Sequence, residues 1–125
     1  MDLLDTQLYA LVGEEGLSRL IAHFYKRIPS DDILAPLYPK DDLTGAEQRL
    51  REFVTQRFGG PDLYSQKRGH PRLRMRHAPF AIDQRARDRW IDLMEQAIAE
   101  SQLPADAIAP LRAFFHDAAT FLINR

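Results

Sequence analysis

The side chains in this sequence best suited to bind a transition metal are its four histidines. The 125-residue chain holds no cysteine, which excludes thiolate zinc sites, iron–sulfur clusters and a cysteine nucleophile. His23, His70, His77 and His116 are scattered singly, and the sequence offers no His-Glu-x-x-His pair or three-histidine cluster for a bare zinc ion. A single histidine is a sufficient protein ligand only where the metal arrives inside a macrocycle, as haem iron does.

His77 has the setting that best fits such a ligand. It follows a run of cations and precedes Ala78-Pro79-Phe80, where the chain breaks beside apolar and aromatic neighbours. His70 lies in a Gly-His-Pro turn, whereas His23 and His116 have polar neighbours in predicted helices. The ordinary interpretation of these three is a surface, turn or packing histidine.

A haem also needs a flat apolar slot, and cations at its edge for two propionates. The candidate propionate partners are Arg49, Arg74 and Arg76. From periodicity alone an aromatic stripe is more typical of an ordinary helical core, and a charge run is more typical of solvated surface. Six aromatic side chains could build the slot: Phe53, Phe58, Phe80, Trp90, Phe114 and Phe115.

Two predicted helices in the first half of the chain would position part of this set. The first ends before Pro29, which pushes the preceding residue out of the α region. The second runs from a capping box at Thr44-Gly45-Ala46-Glu47 to Gly59-Gly60-Pro61, where a glycine can adopt the left-handed conformation. The apolar face of the first helix is Leu17, Leu20, Ile21, Phe24, Tyr25 and Ile28. That of the second is Leu43, Ala46, Leu50, Phe53, Val54 and Phe58.

Two more helices are predicted in the second half, after an irregular stretch over residues 59–82. Asp83 can cap the first of them. The last helix tolerates Pro110 only within its first turn, where a missing N–H costs little. The polar–apolar alternation at 72–76 is not a strand, because no partner strand is available. Ser30-Asp31-Asp32 also suits the start of a short helix or turn. Counting such short segments with the four long helices, the chain is all-α with about six helical segments. The inner faces are Ala86, Trp90, Leu93, Met94, Ala97 and Ile98, then Ile108, Leu111, Phe115, Ala118 and Leu122.

Composition narrows the classes of function. A chain of 125 residues, 45% of them apolar, makes one domain over residues 1–125. Its formal net charge of −1 predicts no bulk attraction to nucleic acid or to an anionic membrane. Residues 1–5 lack the features of a secretory signal, and no apolar stretch approaches the roughly 20 residues that span a bilayer. We expect a soluble cytoplasmic protein.

Several short motifs occur together in a fixed order. They are Phe24-Tyr25, Leu37-Tyr38-Pro39, Phe58-Gly59-Gly60-Pro61, the segment Gly69–Phe80, and Trp90. In order and spacing the sequence resembles the truncated haemoglobins, and among them the second group, over nearly the whole chain. The segment GHPRLRMRHAPF is the most specific part of the match. The resemblance implies a truncated globin fold, with helices packed two over two around haem b.

The resemblance also implies roles for single residues. His77 matches the proximal histidine that binds the iron, and Arg49 and Arg76 match cations near the propionates, with Tyr64 a further candidate. The pocket walls would be Phe53, Leu73, Phe80 and Ile82, to which the aromatic pattern adds Phe58. The distal ligand pocket would hold Tyr25, Tyr38, Ala46, Leu50 and Trp90. His70 falls outside the iron site.

The residue types of the distal pocket suit a polar diatomic ligand. Ala46 cannot donate a hydrogen bond, so Tyr25, Tyr38 and Trp90 would supply the donors, each charge-assisted bond contributing about 1.5–3 kcal/mol. That is roughly a ten- to hundredfold change in release rate. Leu50 would leave Trp90 as the main donor from the interior. Arg57 stands where the family usually has an aromatic residue, so packing or solvent access at that end of the distal helix is expected to differ.

Three functions from different classes fit these observations. Our prediction is a haem protein, monomer or homodimer, that binds O₂ and other diatomic ligands (NO, CO) and releases them slowly. The alternative is a redox enzyme of peroxidase or nitric-oxide dioxygenase type. It would need an external reductase, because the sequence has no flavin or nicotinamide fingerprint. The third is a nucleic-acid or phosphate binder that uses residues 67–76, against which the near-zero net charge argues.

Overall fold

The computed structural model describes residues 5–125. Most of the segment 1–5, from which we argued against a secretory signal, lies outside the described residues. The described part contains six α-helices and one 3₁₀ turn. In chain order these are α1 (Asp5–Tyr25), the 3₁₀ turn (Ala35–Leu37), α2 (Leu43–Arg57), α3 (Leu63–Arg68), α4 (Leu73–His77), α5 (Gln84–Glu100) and α6 (Ala105–Phe121).

The four long helices form two layers. α1 pairs with α2, α5 pairs with α6, and α1 packs on both α5 and α6, while α3 packs on α2. This is the predicted two-over-two arrangement, and the all-α class is confirmed because residues 5–125 contain no strand. None of these described helices is long and apolar enough to cross a membrane. Fully buried side chains between the layers include Leu17, Leu20, Phe24, Val54, Phe58, Met94, Leu111 and Phe115.

α1 contains a break that the sequence pattern did not predict. Gly13 has φ +78° and ψ 165°, outside the helical region, and the helix resumes beyond it. Only glycine takes this conformation at little cost. The helix ends at Tyr25, and Ile28 follows in a turn where its N–H donates to the Tyr25 carbonyl at 3.1 Å. The predicted end before Pro29 is therefore correct.

α2 begins earlier than the predicted capping box. The helix starts at Leu43 with Asp42 in the N-cap position, so Thr44 lies inside the first turn and caps nothing. Asp42 makes no side-chain cap bond either, because its carboxylate pairs with the guanidinium of Arg49 at 3.2 Å. The predicted end of the helix is correct, since Gly59 follows it with φ +97°.

The prediction of an irregular stretch over residues 59–82 is wrong at two short helices. α3 is fixed by Gln56, whose Oε1 accepts the Ser65 N–H at 2.8 Å and whose Nε2 donates to Ser65 Oγ at 2.7 Å. α4 is fixed at its end by Asn124, whose Nδ2 donates to the His77 carbonyl at 3.2 Å. Helices of six and five residues are too short to show a period and depend on such contacts.

The remaining two helices confirm one end signal and correct another. Asp83 caps α5, because its Oδ1 accepts the N–H of Ala86 at 2.8 Å. Pro110 does not lie in the first turn of α6, as expected, but is the sixth residue of a helix that begins at Ala105. Its missing N–H deprives the Asp106 carbonyl of a helical donor. Asp106 is exposed, so water can reach this turn of the helix.

Candidate functional site

The two helix layers border a cavity of about 620 Å³. A volume in the range of about 300–1,000 Å³ is typical of small-molecule and cofactor sites. Every described helix contributes to its lining, and the lining contains no carboxylate side chain. Its apolar wall consists of Leu34, Leu37, Leu50, Phe53, Leu73, Phe80, Ile82, Phe114, Phe115 and Leu122.

His77, the last residue of α4, lines this cavity and is half-buried. Its ring Nδ1 lies 2.7 Å from the carbonyl oxygen of Leu73. A carbonyl can only accept, so Nδ1 carries the ring proton and donates it. In the neutral ring this tautomer leaves the lone pair on Nε2, which is the form of imidazole that binds a metal, and the bond to Leu73 fixes the plane of the ring.

The backbone beyond His77 is held by Asn124, which follows α6 and which sequence reasoning missed. Its side-chain amide donates to the carbonyls of His77 at 3.2 Å and Phe80 at 2.9 Å. Its side-chain oxygen accepts the N–H of Ile82 at 2.9 Å, and its own N–H donates to the Ile82 carbonyl at 2.8 Å. One side chain therefore orders the whole segment that carries His77, Phe80 and Ile82 along the cavity wall.

Trp90 and Tyr38 meet at another part of the cavity lining. The indole Nε1–H of Trp90 donates to the hydroxyl of Tyr38 at 3.1 Å. The indole also packs against Phe24, with ring centroids 4.9 Å apart, and against Phe115 at 5.8 Å. These contacts hold the indole ring in place. Since the Tyr38 hydroxyl accepts from Trp90, its own proton stays available to donate.

Tyr25 stands beside this pair and is 5% exposed. Its hydroxyl donates to the carbonyl of Ala46 at 3.2 Å, and its ring meets that of Tyr38 edge to face at 5.7 Å. Burial raises the pKa of Tyr38 to about 12. Burial, with the nearby Tyr38 as the next cause, also raises the pKa of Tyr25 well above its usual value. Both phenols are therefore protonated donors at neutral pH.

Four arginines line the cavity, and the sequence predicted two of them. Arg49 and Arg76 line it as predicted, and Arg68 and Arg87 join them. Arg76 donates to the backbone carbonyl of Pro71 at 2.8 Å, which holds it beside the cavity. Arg74, the third propionate candidate, is not part of the lining.

Arg74 stacks instead over the ring of Phe121 on α6, 5.3 Å from its centroid. Arg68 and Arg87 are placed by partners distant in sequence. Arg68 donates to Glu52 at 2.9 Å, and Arg87 donates to Thr120 Oγ1 at 3.1 Å. No local spacing rule could have selected these two arginines from the other cations of the chain.

A buried carboxylate joins α2 to α3 beside the cavity. Glu52 is 5% exposed and lies 2.5 Å from Lys67 Nζ and 2.9 Å from Arg68 Nη1. The hydrogen bond from Lys67 is the largest influence on the pKa of the Glu52 carboxyl. With help from Arg68, it outweighs the effect of burial and holds that pKa below its usual value. Two cations of the basic segment 67–76, Lys67 and Arg68, therefore form ion pairs within the protein.

The other predicted wall and distal residues fall into two groups. Ala46, Leu50, Phe53, Tyr64, Leu73, Phe80 and Ile82 all line the cavity. Phe58 does not, which corrects its prediction as a wall residue, because it is fully buried behind Phe114 at a ring distance of 4.9 Å. His70 is exposed and outside the lining, as expected. The lining residues that sequence reasoning missed include Leu34, Ala86, Ala118 and Ala119.

Arg57 occupies the position where the resemblance led us to expect an aromatic residue. Its side chain lies at the surface, with the guanidinium 5.4 Å from the centroid of the Phe114 ring. Phe114 lines the cavity. The planar guanidinium thus covers the outer face of a wall residue by a cation–π contact.

Comparison with known proteins places this fold and cavity in a family. A family model described as bacterial-like globin matches residues 7–123. The chain is 43% identical over 90 residues to a group 2 truncated haemoglobin of Bacillus subtilis, covering 72% of this chain and 67% of that protein. It is 36% identical over 122 residues to a group 2 truncated haemoglobin of Lotus japonicus, covering 95% and 73%.

Solved structures agree with this assignment. The haemoglobin of Chloroflexus aurantiacus superposes with a TM-score of 0.90 at 42% identity, over 94% of this chain and 98% of that one. A structure described as truncated oxygen-avid haemoglobin from Bacillus subtilis superposes with a TM-score of 0.88 at 37% identity, over 94% and 98%. The two-over-two helical fold of this chain, with its apolar cavity, is therefore a globin fold. The chain belongs to the bacterial-like globin family, as a group II truncated haemoglobin.

Proposed function

We propose that this chain binds haem b through His77 and holds O₂, or another diatomic ligand, beside Trp90, Tyr38 and Tyr25, with slow release. The observation that carries the proposal is that one apolar cavity joins an imidazole with a free Nε2 to an indole N–H and two protonated phenols. The similarity to a relative described as oxygen-avid supports O₂ as the ligand. The lack of cysteine in the sequence supports a haem that is not covalently attached.

The chemistry of the lining fits a haem. Its aliphatic and aromatic walls suit a flat apolar ring, and His77 offers an imidazole nitrogen on a ring held by the Leu73 carbonyl at 2.7 Å. Two propionates need cations at the edge of the ring. Arg49 and Arg76 would supply them, since guanidinium groups match carboxylates in geometry as well as in charge.

When bound, haem supplies an iron with a coordination position open to a diatomic ligand. The chain supplies the polarity around that ligand. Trp90 can only donate, and its ring is fixed by Phe24 and Phe115. The Tyr38 hydroxyl keeps a proton to donate, and the Tyr25 hydroxyl would turn from the Ala46 carbonyl to do so. Hydrogen bonds are stronger in such a water-poor setting, which slows the escape of a polar ligand.

The test of the cofactor is the His77→Gly variant. We expect the wild-type protein, reconstituted with haem, to give a sharp Soret band that shifts with CO, and the variant to lose or displace that band. Added imidazole should restore it, because it replaces the missing ligand. The matched control is His70→Gly, at an exposed histidine outside the cavity, which should behave as wild type. A wild-type spectrum identical to that of free haem would contradict the proposal.

A further inference from the structure

A buried carboxylate lies at the start of the corner that carries Tyr38. Asp31 is 7% exposed and does not line the cavity. Its Oδ2 accepts the N–H groups of Ile33 at 3.1 Å and Leu34 at 2.8 Å. Its Oδ1 accepts from Arg89 Nη1 of α5 at 2.5 Å. The proposed ligand binding does not require this ion pair, whose Asp31 end is buried while the Arg89 side chain is 36% exposed.

Backbone hydrogen bonds connect Asp31 to Tyr38. The Ala35 N–H donates to the Asp31 carbonyl at 3.0 Å, and the Tyr38 N–H donates to the Ala35 carbonyl at 3.2 Å. Between them Leu34, only 2% exposed, anchors the corner in the core. Asp31 and Tyr38 are therefore the two ends of one continuously bonded segment, and a shift at one end is passed to the other.

α5 contacts both ends of this segment through adjacent residues. Arg89 binds Asp31 at one end, and the neighbouring Trp90 donates to the Tyr38 hydroxyl at 3.1 Å at the other. A hydroxyl–indole bond at this distance tolerates only a few tenths of an ångström of movement before it weakens. We propose that Asp31 and Arg89 are a positioning pair that sets the Trp90–Tyr38 hydrogen bond and, resting on the proposed function, the rate at which a ligand leaves.

The charge state of the pair supports this role. Burial raises the pKa of the Asp31 carboxyl, but the Leu34 N–H and the Arg89 guanidinium outweigh it and hold that pKa below its usual value. Asp31 is therefore ionised at neutral pH. Its neighbour Asp32 provides a matched control, because its carboxylate is 3.5 Å from the same Arg89 Nη1 while its side chain is 82% exposed.

The experiment compares Asp31→Asn, Arg89→Gln and Arg89→Lys with Asp32→Asn. Trp90 is the single tryptophan of the chain, so deuterium exchange of its indole N–H can be followed by ultraviolet resonance Raman in the unliganded protein. We expect Asp31→Asn and Arg89→Gln to speed this exchange about tenfold, the lower end of what one charge-assisted hydrogen bond contributes. Arg89→Lys should restore most of the protection, and Asp32→Asn should change nothing.

Loss of overall stability must be separated from local positioning. Ile98→Val, a truncation in the core at a residue that is 5% exposed and outside the cavity lining, lowers stability without touching the corner. If Ile98→Val lowers stability by as much as Asp31→Asn does, it should still leave the rate of indole exchange unchanged. The double variant Asp31→Asn/Arg89→Gln should be no worse than either single one, because both remove the same interaction. Equal acceleration by Ile98→Val, or none by Asp31→Asn, would overturn the proposal.

A second readout distinguishes this inference from the proposed function. O₂ release is measured in the same variants and in Trp90→Phe. One outcome is faster indole exchange in Asp31→Asn together with unchanged O₂ release in Asp31→Asn and Trp90→Phe. It would mean that the Asp31–Arg89 pair positions the Trp90–Tyr38 hydrogen bond, but that this hydrogen bond does not control O₂ release. Unchanged exchange, with faster release in Trp90→Phe only, means that the ligand role of Trp90 stands and the positioning role of Asp31 fails.

Discussion

Replacing Trp90 by phenylalanine removes one hydrogen-bond donor from the cavity and little else. The lost group is the indole Nε1–H, which the Tyr38 hydroxyl accepts at 3.1 Å. A phenyl ring can keep much of the tilted ring contact with Phe24 at 4.9 Å and Phe115 at 5.8 Å. The structural cost is therefore limited to a small void and an unpaired acceptor at Tyr38, about 1–2 kcal/mol of stability.

The effect on ligand release should be larger than this structural cost suggests. A hydrogen bond to a ligand that carries partial negative charge contributes about 1.5–3 kcal/mol, which corresponds to about ten- to a hundredfold in release rate. Tyr38 and Tyr25 remain protonated donors in the variant, since burial raises both of their pKa values. Their hydroxyls can turn toward the ligand, so we expect O₂ release from Trp90→Phe to be about tenfold faster than from wild type.

Stopped-flow mixing of the O₂ complex with excess CO measures this rate directly. Phe115→Leu serves as the control, because it removes a ring that packs against Trp90 and leaves the indole N–H in place. A wild-type release rate in Trp90→Phe would refute the role of the indole as a donor. The same acceleration in Phe115→Leu would show that packing of the indole, and not its N–H, limits release.

Three stability predictions follow from other parts of the fold. Glu52→Gln should lower the free energy of unfolding in urea by about 2–3 kcal/mol, since it leaves Lys67 and Arg68 without their shared carboxylate. As the pKa of Glu52 is depressed, wild type should lose this stability as pH falls below about 4, and the variant should show a smaller loss. Burial raises the pKa of Tyr38 to about 12, above the value of about 10 for an unfolded tyrosine. The contribution of the protonated phenol to the free energy of unfolding should therefore be fully present below pH ~10 and should be lost between about pH 10 and 12. Tyr38→Phe should show a less steep decline over that range. Gly13→Ala should cost about 1 kcal/mol by thermal unfolding because φ is +78° there.

The long helices could be predicted from the sequence because their apolar faces repeat over several turns. α5 is the clearest case, with Asp83 as a local start signal that the structure confirms. The start of α2 was predicted in the wrong place. The Asp42 carboxylate, which could cap the helix, pairs instead with Arg49, seven positions further along the chain. α3 and α4 could not be predicted from periodicity, because Gln56 and Asn124 order them from outside.

The candidate site also contains some residues that could be predicted from the sequence and others that could not. The family resemblance assigned roles to His77, Tyr38 and Trp90, and the fold brings all three to one cavity. The side chains that hold them in place were not predicted. Asn124 acts on the carbonyl of a residue 47 positions away, and Arg89 reaches Asp31 across 58. Interactions at such separations leave no spacing pattern in a single sequence.

The residues that position His77 are different from the residues that position the Trp90–Tyr38 hydrogen bond. His77 is oriented by Leu73 and Asn124, which lie on or next to α4 and α6. The Trp90–Tyr38 bond rests on α5 and on the corner that starts at Asp31. No hydrogen bond among residues 5–125 is shared between the two groups. Under the proposed function, retention of the cofactor and release of the ligand would therefore depend on different side chains, and we expect substitutions to change one property while they leave the other intact.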